Sequence, residues 1–261
     1  MQQRNAPQER NAPLTARSVL ASTLLGMEPP ELPVAQLVHT AGLFGITENT
    51  VRVALSRMAA SGEAVTDGAG RYRLAGHLLE RQRRQRASRA AQTTPWNGTW
   101  DLVLVRAPSS SAEARSARRR LFSRARLAEL REGCWLRPAN LELALEGTPG
   151  ADLLAGSFVP AGDGAALAAR LWDLPWWAAR AETLRLELAA LALGGPEDLA
   201  PGFVLSAAVL RHFQADPLLP DGLLAPDWPG AVLRADYDEW DGRYRRLLAR
   251  WSREGQAKSR A

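Results

Sequence analysis

The sequence predicts an α+β protein with three parts: an N-terminal winged helix-turn-helix, a central ferredoxin-like α+β domain, and a helical C-terminal domain. Three observations carry that expectation. Between Thr47 and Met58 an apolar stripe at helical spacing backs onto a polar one. From Trp96 to Leu171, β-type runs alternate with helical ones, and beyond Trp172 helical periodicity dominates. At 261 residues the chain has room for two or three domains, taking ~100–150 residues for each.

Residues 1–12 are rich in Gln, Arg, Asn and Pro and read as a disordered tail. The DNA-binding domain is expected over 13–79. Thr15 caps its first helix, whose apolar side is Val19, Leu20, Thr23 and Leu24. Leu32 to Ala41 is a second helical pattern with Val34, Leu37, Val38 and Ala41 on its buried side. Gly42-Leu43-Phe44-Gly45-Ile46 supplies the glycine-containing turn of a helix-turn-helix. Thr47 then caps the recognition helix. Val51, Leu55 and Met58 recur at i, i+4, i+7, and Asn49, Thr50, Arg52, Val53, Ser56 and Arg57 occupy the other face. Gly62 suits the residue that ends this helix. Ala64-Val65-Thr66, Asp67-Gly68-Ala69-Gly70 and Arg71-Tyr72-Arg73-Leu74 read as a two-stranded hairpin, the wing.

Residues 80–95 form an arginine-rich linker, with five arginines and one acid between Glu80 and Thr94. It reads equally as a helix near DNA or as a solvated connector. The ferredoxin-like domain is expected over 96–175. Trp96-Asn97-Gly98-Thr99 is a turn leading into an apolar strand through Val105, and a helix runs from about Ala112 to Ser123. Cys134–Arg137 is a second strand, Asn140–Leu145 starts another segment, Leu153–Val159 is a strand, and Ala165–Leu171 is a helix. The helical domain is expected over 176–261, with helices at Ala178–Leu193, Gly202–Gln214 and Ala235–Arg253. Between them Asp216–Pro220 and Ala225–Pro229 act as rigid, proline-bearing connectors.

Composition narrows the function classes. Lys and Arg number 33 against 28 Asp and Glu, a net charge of +5, and Lys258 is the one lysine. Arginine forks onto phosphates and guanine edges, which suits DNA; a high-GC genome produces the same bias. The sole cysteine, Cys134, excludes an intrachain disulfide and a cysteine-based zinc site. His39, His77 and His212 stand far apart with no metal or triad pattern, so no cofactor is expected. No apolar run reaches the ~20 residues of a membrane span, and the N-terminus lacks a signal-peptide h-region, so a cytoplasmic protein is expected.

Several stretches taken in order resemble the PaaX-like regulators, a family named for the repressor of phenylacetate catabolism. They are Thr15-Ala16-Arg17-Ser18, Thr50–Met58 with the Gly-Arg-Tyr-Arg-Leu wing, Trp96-Asn97-Gly98-Thr99-Trp100, and Trp135-Leu136-Arg137-Pro138-Ala139-Asn140-Leu141. Leu171-Trp172-Asp173-Leu174, Ala215–Pro220, Leu223-Leu224 and Asp227-Trp228-Pro229-Gly230 complete the series. The resemblance covers about residues 15 to 245. It departs in the short wing at Gly70-Arg71-Tyr72 and in the small-residue loop Ala107–Ser111. It implies a non-enzymatic, homodimeric repressor of a catabolic operon, released from double-stranded DNA by an aryl-acyl-CoA thioester.

Candidate DNA-contacting residues are Arg17, Thr47, Asn49, Thr50, Arg52, Ser56, Arg57, Arg71 and Arg73. Arg17 reads as well as a plain surface arginine, and Thr47 is first of all a cap. A CoA thioester needs arginines beside an aromatic pocket. The candidates are Arg115, Arg118, Arg119 and Arg120 with Trp172, Trp176 and Trp177, although the tryptophans read more readily as core. The competing function is a metal-dependent nuclease using the central fold, with Asp101 on the first strand as its acid.

Overall fold

The computed structural model describes residues 14–106, 111–143, 145 and 153–258. The expected tail 1–12, most of the loop Ala107–Ser111 and part of the segment Asn140–Leu145 lie outside the described residues. The chain divides into two compact units. One comprises 1–83 with 193–203 and 244–261; the other comprises 84–192 with 204–243. The C-terminal helical segment therefore contributes to both.

In the first unit, helix α1 spans Ala16–Leu25, and the Thr15 hydroxyl accepts from the Ser18 amide at its start. Strand β1, Glu31–Pro33, follows. Helix α2 then runs over Val34–Gly42 and α3 over Glu48–Ala60. Strand β2 is Ala64–Thr66 and β3 is Arg71–Leu74. Residues Leu32 and Pro33, expected within the second helix, belong instead to β1. Pro33 lacks an amide proton, which suits an edge strand and the entry to a helix alike. β1 pairs with β3, Leu32 opposite Tyr72, so the wing hairpin is the larger part of a three-stranded antiparallel sheet ordered β1-β3-β2.

Gly62 ends α3 as the sequence suggests. With φ at +71° it allows its own amide to reach Ala59 O while the Glu63 amide reaches Met58 O at 2.8 Å, the paired bonds of a Schellman ending. The core of this unit joins Leu20, Leu24, Leu37, Val51, Leu55, Met58 and Leu74, each sealed from solvent. Helix α4, Gly76–Ala90, contributes the buried Gln82, whose amide donates to the Leu25 and Met27 carbonyls at the end of α1. Helix α9, Gly230–Lys258, reaches this unit with its second half: Trp251 stacks on His39 at 3.7 Å, and Arg245 donates to Gly26 O.

The second unit is built on four strands: β4 Trp100–Val105, β5 Ala128–Arg131, β6 Cys134–Pro138 and β7 Leu153–Phe158. All pair antiparallel in the order β5-β6-β4-β7. Helix α5, Ala112–Arg124, connects β4 to β5 and so carries the chain past the position β6 will occupy. Chain order 2-3-1-4 across the sheet is the ferredoxin-like arrangement. Strand β5 was not foreseen; four residues containing Glu129 and Arg131 lack the apolar signal that marks a strand. Alternation along β4 and β6 divides the core in two. Val103 and Trp135 face Phe122 of α5, whereas Trp100, Leu102, Leu104 and Leu136 face the other way. That second face is covered by helix α6, Gly164–Leu171, and by Trp172.

The remaining helices are α7, Leu174–Ala190, and α8, Leu199–Ala215. Each starts a few residues before its expected position, as α9 does. Asp173 caps α7 by accepting from the Trp176 amide, and Pro175 sits in its first turn, where a missing amide proton costs nothing.

Candidate nucleic-acid interface

The burial pattern of α3 divides the helix cleanly. Val51, Leu55 and Met58 are sealed in the core, while Asn49, Thr50, Arg52, Val53, Ser56 and Arg57 are all exposed. The Thr47 hydroxyl accepts from the Thr50 amide at 3.4 Å and lies 2.9 Å from the Thr50 hydroxyl, so both threonines serve the helix start. Arg52 is tied to Glu48 one turn earlier, with Nε 2.8 Å from its carboxylate. Such exposed pairs contribute at most ~1 kcal/mol, so Glu48 positions Arg52 without withholding it. Arg57 forms no ion pair among the described residues.

The wing follows from its turn. Asp67 accepts from the Ala69 and Arg71 amides at 2.8 and 3.0 Å, and those bonds, the Arg71 one foremost, hold its carboxyl below the usual range. Gly68 and Gly70 take positive φ, +76° and +91°, which the short turn requires. Arg71 and Arg73 alternate along β3 and so share one face; Arg71 reaches Glu31 of β1 at 2.5 Å. Arg73 is exposed, with no ion pair among the described residues.

Arg17 has a different role. Its guanidinium donates through Nε at 2.8 Å, and also through a terminal nitrogen, to Glu63, which is buried just past α3. That bond holds the Glu63 carboxyl below its ordinary range, opposing the effect of burial. The guanidinium clamps α1 to the end of α3.

The candidate effector residues are not gathered in one place. Arg119 donates to Glu129 and Arg120 to the Ser116 hydroxyl; Arg115 is exposed, and Arg118 is buried on α5. Trp172 packs beside Trp100, on the sheet face opposite α5. Trp177 is 2% exposed, stacked between His212 at 4.3 Å and Trp228 at 4.6 Å, and Trp176 meets His212 edge-on.

His212 is buried against the Trp177 ring. Burial, aided by Arg180 and Arg234, outweighs the attraction of Asp216 and lowers its pKa from 6.5 to about 4. The folded protein therefore holds it neutral where the unfolded chain would protonate it. Its contribution is full above pH 6.5 and is lost as pH falls toward 4. Each pKa unit is worth ~1.4 kcal/mol; discounted for residual solvent screening, the loss is on the order of 2 kcal/mol. Thermal denaturation across that range should show it. His212→Phe, which keeps an aromatic ring on Trp177, should flatten the profile; an unchanged slope would refute the assignment.

Asp101 is not an open carboxylate. It is buried and opposite Arg137 in the β4–β6 register, and Arg137 Nε donates to it at 2.9 Å. Among the described residues no group of three or more His, Cys, Asp or Glu side chains could hold a metal. Nor is any described helix long and apolar enough to cross a membrane.

Sequence reasoning missed the buried polar hub around Asp216. Arg126, with φ at +63°, donates to the Phe213, Gln214 and Asp216 carbonyls at the end of α8 and to the Ser88 hydroxyl. Arg234 donates to Asp216 at 2.8 Å and lies over the Phe213 ring. Asp216 also accepts from the Leu218 amide, and Asn140 donates to Leu218 O. The signal was a proline-flanked acid, which read only as a connector.

Comparison with known proteins follows the same division. The family model described as PaaX-like protein matches residues 15–78, and the one described as the PaaX protein central Cas2-like domain matches residues 93–149. The solved structure of the uncharacterized protein Rv0674 from Mycobacterium tuberculosis is 39% identical, the match covering 91% of this chain and 99% of that one, with a TM-score of 0.71. No curated protein matches the chain.

Proposed function

This chain belongs to the PaaX-like family, and from that premise we propose that it is a DNA-binding transcriptional repressor of a catabolic operon. It acts as a homodimer and is released from double-stranded DNA by a small acidic effector. The observation that carries the reading is α3: a helix sealed on one side, polar and cationic on the other, followed by a wing with two arginines on one face. A helix of that kind fits the major groove with its first turns toward base edges, and the wing reaches the backbone.

Two-fold symmetry follows from the length of DNA that one winged helix can read. Half-sites separated by whole turns of ~10 base pairs need two copies, and the region beyond Trp96 is the proposed interface. The effector proposed is an aryl-acyl-CoA thioester. Because the sheet stands between α5 and Trp172, its site would use either the α5 arginines or the tryptophans, not both in one pocket. Calorimetry with phenylacetyl-CoA and other acyl-CoA esters, followed by DNA release, tests this, and binding of a free aromatic acid alone would replace the effector while keeping the repressor.

The nuclease reading is weaker, since Arg137 already occupies Asp101. Metal-dependent cleavage that Asp101→Asn abolishes would revive it.

Anisotropy titration on duplexes covering the region upstream of the gene tests the repressor reading. Affinity should fall steeply with salt as phosphate contacts release counterions. Arg71→Ala should weaken all sequences alike and lower the salt slope by about one. Arg52→Ala, removing a base contact for which the guanidinium would leave Glu48, should cost ~1–3 kcal/mol on the cognate duplex and little on a scrambled one. Unaltered cognate affinity in both variants would overturn the assignment.

A further inference from the structure

At the centre of the outward face of α3 stands an apolar side chain. At 3.6 residues per turn, position 53 projects roughly opposite the direction shared by Val51, Leu55 and Met58. Those three are sealed in the core, and Val53 is 43% exposed. Asn49 lies one turn before it, Arg57 one turn after and Ser56 beside it, all exposed; Arg52, tied to Glu48, is set to one flank. A valine here contributes nothing to the core, and its branched Cβ lowers helix propensity relative to the straight-chain residues common on solvated helix faces.

We infer that Val53 is a specificity-determining residue that reads the C5-methyl group of thymine in the major groove. This rests on the DNA-binding reading and deepens it. The thymine methyl is the apolar feature a base pair presents in that groove, and proteins meet it with small apolar side chains. Three properties of the position suit the task. It points at the groove floor when the polar face of α3 faces DNA. Its side chain is stiff about χ1, so its two methyls occupy a defined place at little entropic cost. Its neighbours carry polar and cationic groups, so an apolar contact there is ringed by donors for adjacent base edges and phosphates. Charge complementarity favours nucleic acid as the occupant of this face, because Arg52 offsets Glu48 and Arg57 adds a cation that forms no ion pair among the described residues.

The test uses the full-length protein. Selection from a random duplex library yields a preferred sequence, which is then resynthesised with deoxyuridine replacing thymidine one position at a time. The wild type should lose about fourfold in affinity at one thymidine of each half-site, the factor for returning one methyl-sized apolar group to water. Val53→Ser should bind the thymidine and deoxyuridine duplexes equally at that position, while keeping the wild-type salt slope and circular dichroism spectrum. Equal wild-type affinity for every deoxyuridine duplex would overturn the inference, as would a Val53→Ser protein that still discriminates. Either result leaves the repressor reading standing. If selection enriches no sequence and no duplex binds at low salt, the DNA-binding reading falls and takes this inference with it.

Discussion

Arg137→Met is expected to destabilise the protein by about 3–5 kcal/mol, the range for breaking a buried ion pair from one side. Arg137 is 2% exposed and Asp101 9%. The two face each other across the middle of the sheet, and the guanidinium also donates to the Ala125 carbonyl at 3.0 Å and to that of Leu141. Methionine fills much of the volume but donates nothing, so it leaves a carboxylate and two carbonyls short of a partner inside the fold. Asp101→Asn should cost less, because the amide oxygen still accepts from Arg137. The double replacement Asp101→Leu with Arg137→Met should recover part of the loss, since no buried charge remains. Urea unfolding of the four proteins measures all three effects. A single Arg137→Met loss below ~1 kcal/mol would show the pair to be solvated.

Asp216→Ala should have an effect of similar size, about 3–5 kcal/mol, for a related reason. Its carboxylate is the acceptor for Arg234 Nη2 and for the Leu218 amide, and Leu218 holds φ at +53°, which is unfavourable for a residue with a Cβ. Removing the carboxylate leaves Arg234 buried against Phe213 and leaves Arg126 close to it, without the intervening negative charge. The loss should show in unfolding of the unit that contains α7 and α8 from Val204 onward, and it should exceed that of Asp216→Asn. Asparagine keeps an oxygen that accepts from the Leu218 amide, so equal losses for the two variants would assign the cost to charge rather than to the turn.

Both predictions concern stretches that the sequence marked as family motifs without disclosing their purpose. In Trp96-Asn97-Gly98-Thr99, the Asn97 side chain accepts from the Thr99 amide and hydroxyl, Gly98 takes φ at +92°, and the Trp96 indole closes the turn on Thr99 O. Those bonds are local, and a turn there was legible. Arg137 and Asp216 act on partners 36 and 18 residues away, and no local pattern announces such pairings.

By itself the sequence determined what short-range physics sets. The helix periods of α1, α2 and α3, the Thr15 and Thr47 caps, the Gly62 ending and the wing turn all depend on neighbours within a few residues, and so does the separation of α3 into an apolar and a polar face. Only the tertiary structure decided which polar groups remain available. It gave Arg17 to Glu63, Asp101 to Arg137 and Arg126 to the end of α8; it placed the α5 arginines and Trp172 on opposite faces of the sheet; and it added β1 and β5 to their sheets. A side chain's partner is chosen by where distant segments meet, and burial then makes that choice costly to reverse, because an ion or amide removed from water must find its bond within the fold.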